Sequence, residues 1–156
     1  MGNSMQFIEP ASIEVTSYSN TLDNDNSGTI NAGDTIEYTI EVENISTSPI
    51  SGLTLTSYLQ DIGESSYTEN GLTLAFVDTG GSAEGILSVG ETAKYSATYT
   101  FDSAATAGTV QFYVEAVGSS GGQTDNELDY SDNGDDSDGN TNGDVIRDPN
   151  VTTIGD

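Results

Sequence analysis

The chain has 156 residues, enough for one domain with a hydrophobic core, and 26 acidic residues against 2 basic ones give a formal net charge of -24 at pH 7. A polyanion of this kind is not expected to bind nucleic acid or an anionic membrane surface by electrostatics, and cations become its natural partners. Cysteine and histidine are both absent, which excludes disulfides, thiolate or imidazole metal sites, and catalysis by a histidine base.

Most of the chain is predicted to form short β-strands. We interpret residues 1–10 as a start added for expression or a linker, and 11–156 as a single domain. Segments with strand character, several of them strictly alternating between polar and apolar residues, are separated by turn residues and cover 11–18, 34–44, 50–58, 72–77, 91–101, 109–117, 125–130 and 150–154. No segment has the spacing of an amphipathic helix, and no apolar run is long enough to span a membrane. The pattern predicts an all-β protein, an Ig-like antiparallel β-sandwich of seven to nine strands.

The connection between the first two predicted strands has the spacing of an EF-hand-type calcium loop. Counted from Asp23, oxygen-bearing side chains occupy positions 1, 3, 5, 9 and 12, and Gly28 occupies position 6, where the backbone must bend sharply. The segment that follows has the period of a strand and not of a helix, so this calcium loop would open onto a β-strand. The candidate ligands in the loop are Asp23, Asp25, Ser27, Thr29, Asn31 and Asp34.

Two alternatives remain open for this loop. Position 12 is an aspartate and not the usual glutamate, so Asp34 either closes a calcium site or simply starts the next strand. Asn, Asp, Ser and Gly also form ordinary turns without a metal, and an Asx-rich turn is therefore the alternative for the whole loop.

A second acidic segment occupies residues 131–148, before the last predicted strand. Without counter-charge its carboxylates would repel one another, and a structureless loop of this length is unusual inside a compact domain. Calcium would resolve the conflict, because oxygen-bearing residues again recur at alternate positions with glycines between them. The candidate ligands are Asp132, Asp135, Asp136, Asp138, Asn140 and Asp144; the alternative is a solvated acidic linker.

Two stretches resemble a known class of repeat. The segment 33–44, preceded by its Asp/Asn/Gly loop, resembles the signature strand of Ig-like repeats in bacterial surface proteins. The acidic run 131–141, followed by Asp-Pro-Asn-Val-Thr at 148–152, is similar to the end of such repeats in the giant calcium-dependent surface adhesins of the Bacteroidetes, including those linked to gliding motility. The chain departs from that pattern at 142–147, which separates the acidic run from Asp-Pro.

The resemblance implies a repeat unit of a secreted, cell-anchored protein that binds Ca2+. We expect a structural role, as a spacer or extender that contacts neighbouring repeats of the same chain, at the cell surface and as a monomer, and we expect no enzymatic activity. The alternative is an adhesion module that recognises a glycan or another surface ligand through calcium. Lys94 would point to solvent, since the inward face of its strand is defined by Tyr95 and Tyr99, and we do not expect it to form an isopeptide cross-link.

Overall fold

The computed structural model describes residues 13–124, 127–133 and 149–154, and this part of the chain is built from strands and connections. Residues 1–10, interpreted above as an added start or a linker, lie outside the described residues. In chain order the strands are β1 (Ile13–Leu22), β2 (Thr35–Asn44), β3 (Ser51–Gln60), β4 (Thr68–Glu69), β5 (Ala75–Asp78), β6 (Thr92–Thr100), β7 (Gly108–Ser119), β8 (Glu127–Tyr130) and β9 (Asn150–Ile154). Nine described strands confirm the predicted all-β class.

The strands form two antiparallel sheets that pack face to face. One sheet has the order β1-β2-β6-β5, and the other has the order β4-β3-β7-β8, with β9 also paired to β7. β8 and β9 share one edge of β7, because β9 pairs with its first half, from Gly108 to Phe112, and β8 with its second half, from Glu115 to Gly118. This arrangement is an Ig-like β-sandwich, as the alternating pattern predicted.

The core lies between the two sheets and comes from the inward-facing residues of the long strands. Strict alternation in β2 and β6 places one apolar set inside and the polar set outside, which is the expected consequence of the two-residue side-chain period. Tyr38 of β2 stacks on Phe112 of β7 with ring centroids 4.2 Å apart, so this pair joins the two sheets at the centre of the sandwich.

Three strands differ most from the bounds expected from sequence. β1 continues to Leu22, beyond the predicted end at residue 18, because its exposed second half still pairs with β2 as far as Leu22 and Thr35. β5 begins only at Ala75, and the preceding Leu72 instead meets β3 through a hydrogen bond with Ser57. β4 is a two-residue strand in a stretch that we expected to be a loop. Pairing partners thus set these bounds more than local composition does.

One edge of the sandwich is bridged by backbone hydrogen bonds between the sheets. The amide of Asp132, just after β8, donates to the Val15 carbonyl at 3.0 Å, and the Ser17 amide donates to the Asp132 carbonyl at 2.8 Å. These bonds form a parallel bridge between Thr16 and Asp132. Among the described residues there is no helix of the length and apolarity needed to cross a membrane.

Candidate metal centre

The candidate centre is the aspartate loop (residues 23–34), which connects β1 to β2 at one end of the sandwich. Its far end is tied to Phe101, the residue directly after β6, because the Gly33 amide donates to the Phe101 carbonyl at 3.0 Å and the Phe101 amide donates to the Asp34 carbonyl at 2.9 Å. Phe101 belongs to the core. The loop is therefore exposed at its tip and anchored at its base.

Three carboxylates converge in this loop. One oxygen each of Asp23, Asp25 and Asp34 lies within 4.8 Å of the others, and these residues are half-buried, exposed and buried, respectively. Carboxylates this close repel one another unless a cation or hydrogen-bond donors lie between them. The group could hold a metal ion, and a set of oxygen ligands without nitrogen or sulfur suits a hard cation.

Asp34 is fully buried, and its two oxygens hold the loop closed. Oδ1 accepts a hydrogen bond from the Asn24 amide and Oδ2 accepts one from the Asn31 amide, both at 2.8 Å. Asp34 thus starts β2 and also belongs to the carboxylate group, so the two roles considered for it at position 12 are compatible. Each of its oxygens retains a further lone pair for a cation.

The first turn of the loop orients Asp23 and Asp25 through backbone amides. The Ser27 amide lies 3.1 Å from Asp23 Oδ1 and 3.0 Å from Asp25 Oδ1, and the Gly28 amide donates to Asp23 Oδ2 at 2.7 Å. Gly28 has φ of +90°, a backbone angle that disfavours other residues. The hydrogen bond from the Gly28 amide is the largest cause of the lowered pKa of Asp23, and the charged form needed for a cation is thereby favoured.

The remaining candidate ligands are linked to one another around Ser27. The Ser27 hydroxyl donates to the Thr29 carbonyl at 2.9 Å, and the Asn31 side-chain amide donates to Ser27 Oγ at 2.9 Å. Whether Ser27, Thr29 and Asn31 contribute oxygens to a metal stays a prediction. The same contacts are also those of an Asx- and Ser-rich turn.

Asn24 has a role that the spacing argument missed, since position 2 of a calcium loop is not a ligand position. Its side-chain amide donates to the Gly33 carbonyl at 3.0 Å and to Thr35 Oγ1 at 2.8 Å. This side chain therefore clamps the two ends of the loop together. Asn side chains tend to form hydrogen bonds with backbone groups close to them in sequence. The partners of Asn24 lie nine and eleven residues away, so this tendency alone does not identify them.

Of the second set of candidate ligands, the structure describes Asp132. It lies in the bridge to β1 and is only 3% exposed, so it is part of the folded edge and not of a solvated linker. The other candidates of this set lie outside the described residues: Asp135, Asp136, Asp138, Asn140 and Asp144.

Around that bridge the structure places a group of buried polar residues, of which the sequence analysis singled out Asp132 alone. We call it the edge cluster, and it consists of Ser17, Asp129, Asp132 and Asn150. These residues come from β1, β8, the residues just after β8, and β9, so pairing across two sheets is needed to bring them together. A strand pattern does predict that one face is buried, but Ser17 and Asn150 are polar residues on that face.

The outer face of the second sheet carries a tyrosine cluster. Tyr58 stacks on Tyr113 with ring centroids 4.8 Å apart, and Tyr67 meets the same ring edge-on at 4.8 Å. Tyr113 lies on the outer face of β7, but its neighbours leave it only 5% exposed. Lys94 is exposed, as expected, and its Nζ lies 3.8 Å from Glu41 Oε2.

Comparison of this chain with family models, with characterised proteins and with solved structures returns no match. A functional interpretation therefore rests on the chemistry of its own residues.

Proposed function

We propose that this chain is a calcium-stabilised structural repeat, a spacer or extender, of a secreted bacterial cell-surface adhesin. The observation that carries the proposal is the convergence of Asp23, Asp25 and Asp34 within 4.8 Å in a loop with calcium-loop spacing. The likeness of residues 33–44 and 131–141 to surface-adhesin repeats supports the same assignment. A domain without cysteine cannot be cross-linked by disulfides, and a bound metal supplies an equivalent constraint.

The proposed mechanism is electrostatic. In calcium-free protein the three carboxylates repel, and the amides of Ser27 and Gly28 offset only part of that repulsion. A bound cation replaces the repulsion with several oxygen contacts and fixes the loop between β1 and β2. Because Gly33 and Asp34 are bonded to Phe101, the constraint extends to β6 and to the core.

Calcium fits this centre better than other biological metals. The three carboxylates leave nitrogen and sulfur out of the ligand set, which disfavours zinc, copper and iron. Mg2+ requires near-octahedral geometry at short distances, whereas Ca2+ accepts a larger and more flexible set of oxygens. An exposed loop with one of its carboxylates at the tip suits the weak binding, about 10⁻⁴ to 10⁻³ M, of extracellular modules.

A pair of charge-matched double variants tests the proposal. Asp23→Asn with Asp25→Asn should remove one calcium from the stoichiometry measured by calorimetry, while the fold is retained. Glu37→Gln with Glu43→Gln removes the same charge from the exposed face of β2 and should leave the stoichiometry unchanged. If the loop variant binds as many calcium ions as the unmodified protein, Asp23 and Asp25 are not ligands.

An adhesion module that recognises a surface glycan through calcium is the second candidate function. The tyrosine cluster favours it, since Tyr58 and Tyr67 are only half-buried and aromatic rings stack on sugar faces. A glycan array probed with and without millimolar calcium separates the two candidates. Calcium-dependent binding of any glycan would replace the spacer role with a binding role.

A further inference from the structure

We propose that the outer face of the sheet β4-β3-β7-β8 is a docking surface for a segment of a partner protein that carries arginine side chains. The centre of this surface is Tyr58, flanked by the carboxylates of Glu69 and Glu115. The surface contains no residue of the aspartate loop, so the proposal does not depend on calcium binding. It concerns a different class of ligand from the glycan considered above for the tyrosine cluster.

Strand register determines which residues share this face. Tyr58 of β3 is paired with Glu69 of β4 on one side and with Tyr113 of β7 on the other. Paired residues lie on the same face of a sheet. Glu115 follows Tyr113 by two residues on β7, so it lies on that face too, and it is paired with Tyr130 of β8. The residue between them on β7 belongs to the core, so the shared face is the outer one.

The ring of Tyr58 is held in position by its neighbour. Tyr58 and Tyr113 stack with ring centroids 4.8 Å apart and an interplanar angle of 11°. Because β3 lies between β7 and β4, one face of the Tyr58 ring contacts Tyr113 and the other is turned towards β4, where Glu69 lies. Tyr58 is half-buried and Glu69 is exposed. The face of an aromatic ring attracts cations, and a ring already fixed by stacking loses little freedom when it binds one.

Two carboxylates make the surroundings of this ring negative. Burial raises the pKa of the Tyr58 hydroxyl, and the charges of Glu115 and Glu69 raise it further. The ion pair found among the described residues is on the other sheet, between Lys94 of β6 and Glu41 of β2. Glu69 and Glu115 therefore have no basic counterpart in the part of the chain that the structure describes, and an occupant complementary to this surface is cationic.

Arginine matches this combination of a ring face and a carboxylate better than other cations do. Its guanidinium group is planar, so it can stack on an aromatic ring while its N–H groups donate to a carboxylate beside the ring. A lysine ammonium is a strongly hydrated point charge, and Ca2+ requires a larger set of oxygen ligands. A neutral glycan can stack on the ring but gains no charge complementarity from the two carboxylates.

Exposed apolar side chains on the same face indicate a protein segment and not an isolated cation. Val151 of β9 is paired with Gln111, and Leu128 of β8 is paired with Val117. Gln111 and Val117 lie at even spacing from Tyr113 along β7, so all of these residues face outward. Val151 is 59% exposed and Leu128 is 37% exposed. Aromatic and apolar residues at the centre of a patch, met by arginine from the partner, are typical of protein interfaces.

The test uses a peptide of alternating arginine and glycine, with a lysine counterpart, titrated into the full chain by calorimetry. The ionic strength is set to about 0.15 M, where the Debye length is about 8 Å and distant charges are screened. The arginine peptide should bind more tightly than the lysine peptide. Tyr58→Leu should weaken binding of the arginine peptide about two- to fivefold, the effect of one exposed cation–π contact. Tyr58→Phe keeps the ring and should bind as the unmodified protein does.

Tyr18→Leu is the matched control, because Tyr18 is 46% exposed on β1 of the other sheet. Glu69→Gln and Glu115→Gln should each weaken binding measurably. Glu43→Gln removes the same charge from the exposed face of β2 and should leave the affinity nearly unchanged. If Tyr58→Leu does not fold, the comparison of these glutamate variants still decides the question.

The proposal is overturned if the arginine peptide does not bind, or if Tyr58→Leu and Tyr18→Leu bind it alike. Equal effects of the three glutamate variants would also overturn it, since net charge alone would then explain the binding. A neutral glycan that binds through Tyr58 where the peptide does not would give the surface to sugars. Arg147, the chain's other basic residue, lies outside the described residues. Peptide binding that appears only after Arg147→Gln would mean that this chain supplies its own cation, which contradicts a partner protein.

Discussion

The aspartate loop and the edge cluster both gather aspartates, but they do so in opposite settings. The loop draws its three carboxylates from twelve consecutive residues, keeps Asp25 exposed, and satisfies its oxygens with backbone amides. The edge cluster draws its residues from β1, β9 and the region of β8, and buries every one of them. The loop is formed by residues close in sequence and is accessible to solvent at its tip, whereas the edge cluster is assembled from distant segments and is buried.

This difference in solvent exposure decides how the carboxylates of the loop and of the edge cluster are stabilised. At the loop, water and amide donors stabilise the charged carboxylates, so the calcium-free loop is a tolerable state. At the edge cluster solvent is excluded, so its polar groups depend on contacts within the fold, such as the hydrogen bonds of Asp129 and Asn150 to β1. We therefore expect calcium to act at the loop.

The largest expected effect is the removal of calcium from the intact protein. A ligand that binds only the native state contributes about 2.7 kcal/mol at a hundredfold excess over its dissociation constant. For a domain of this size the melting temperature should fall by roughly 5–10 °C in EDTA. Differential scanning calorimetry measures it, with sodium chloride at matched ionic strength as the control. Equal protection by sodium would mean that simple screening explains the effect.

A second prediction separates the two roles of Asp34. Asp34→Ala removes the acceptor for the amides of Asn24 and Asn31, so the free energy of unfolding in EDTA should fall by about 2–3 kcal/mol. Asp25→Ala should change it by less than about 0.5 kcal/mol in EDTA, because Asp25 is exposed and Asp23 accepts from the same Ser27 amide.

Calcium should stabilise neither variant as it stabilises the unmodified protein, since each loses a proposed ligand, so the difference in stability between the two variants should persist in calcium. Urea unfolding of both variants with and without calcium gives the comparison. A full calcium response in Asp34→Ala would identify Asp34 as a start of β2 with no part in metal binding.

The comparison also explains what could be predicted from the sequence. The alternation of β2 and β6 was sufficient to predict their inward faces, because a two-residue period depends on the strand alone. The three aspartates of the loop were predictable for a similar reason, since all the relevant spacing is local. Ser17 and Asn150 were not, because a polar residue at an inward position has no local explanation and its partners are more than a hundred residues away.

The same limit applies to the strand bounds. β4 exists because Tyr58 and Leu59 offer it a pairing partner, and its own two residues, Thr68 and Glu69, give no strand signal. β1 extends beyond its apolar half because β2 continues beside it. Contacts between distant segments therefore account for the features that sequence patterns missed.

A third prediction tests whether the backbone conformation of Gly28 is needed to orient the carboxylate of Asp23. Gly28 has φ of +90° and open space around it, so Gly28→Ala should be strained by its backbone alone and should cost about 1–2 kcal/mol. It should also weaken calcium binding, because the Gly28 amide donates to Asp23. Gly121→Ala is the matched control, with φ of +63° and open space in a turn far along the chain. Both variants should lose similar stability in EDTA, and an equal loss of calcium affinity in both would contradict a specific role for Gly28.

The smallest expected effect concerns pH and tests whether the loop behaves as a group of solvated carboxylates. The pKa of Asp23 is lowered from its ordinary value of 3.8, first by the Gly28 amide. A lowered pKa in the folded state means that the contribution of Asp23 to stability is present above pH 3.8 and is lost as the pH falls through the lowered pKa. Calcium needs the same ionised form, so acid should remove calcium from the loop as it protonates Asp23.

This is measured by comparing the unmodified protein with the Asp23→Asn variant. Melting temperatures with and without calcium, recorded between about pH 3 and pH 7, should differ by a constant amount until the acid limb of Asp23 is reached. The Asp23→Asn variant should show no such limb. If the calcium response of the unmodified protein instead disappears between about pH 5 and pH 6, the cation is held by carboxyl groups with raised pKa values. This outcome would mean that the ionisation of Asp23 does not set the acid limit of calcium binding.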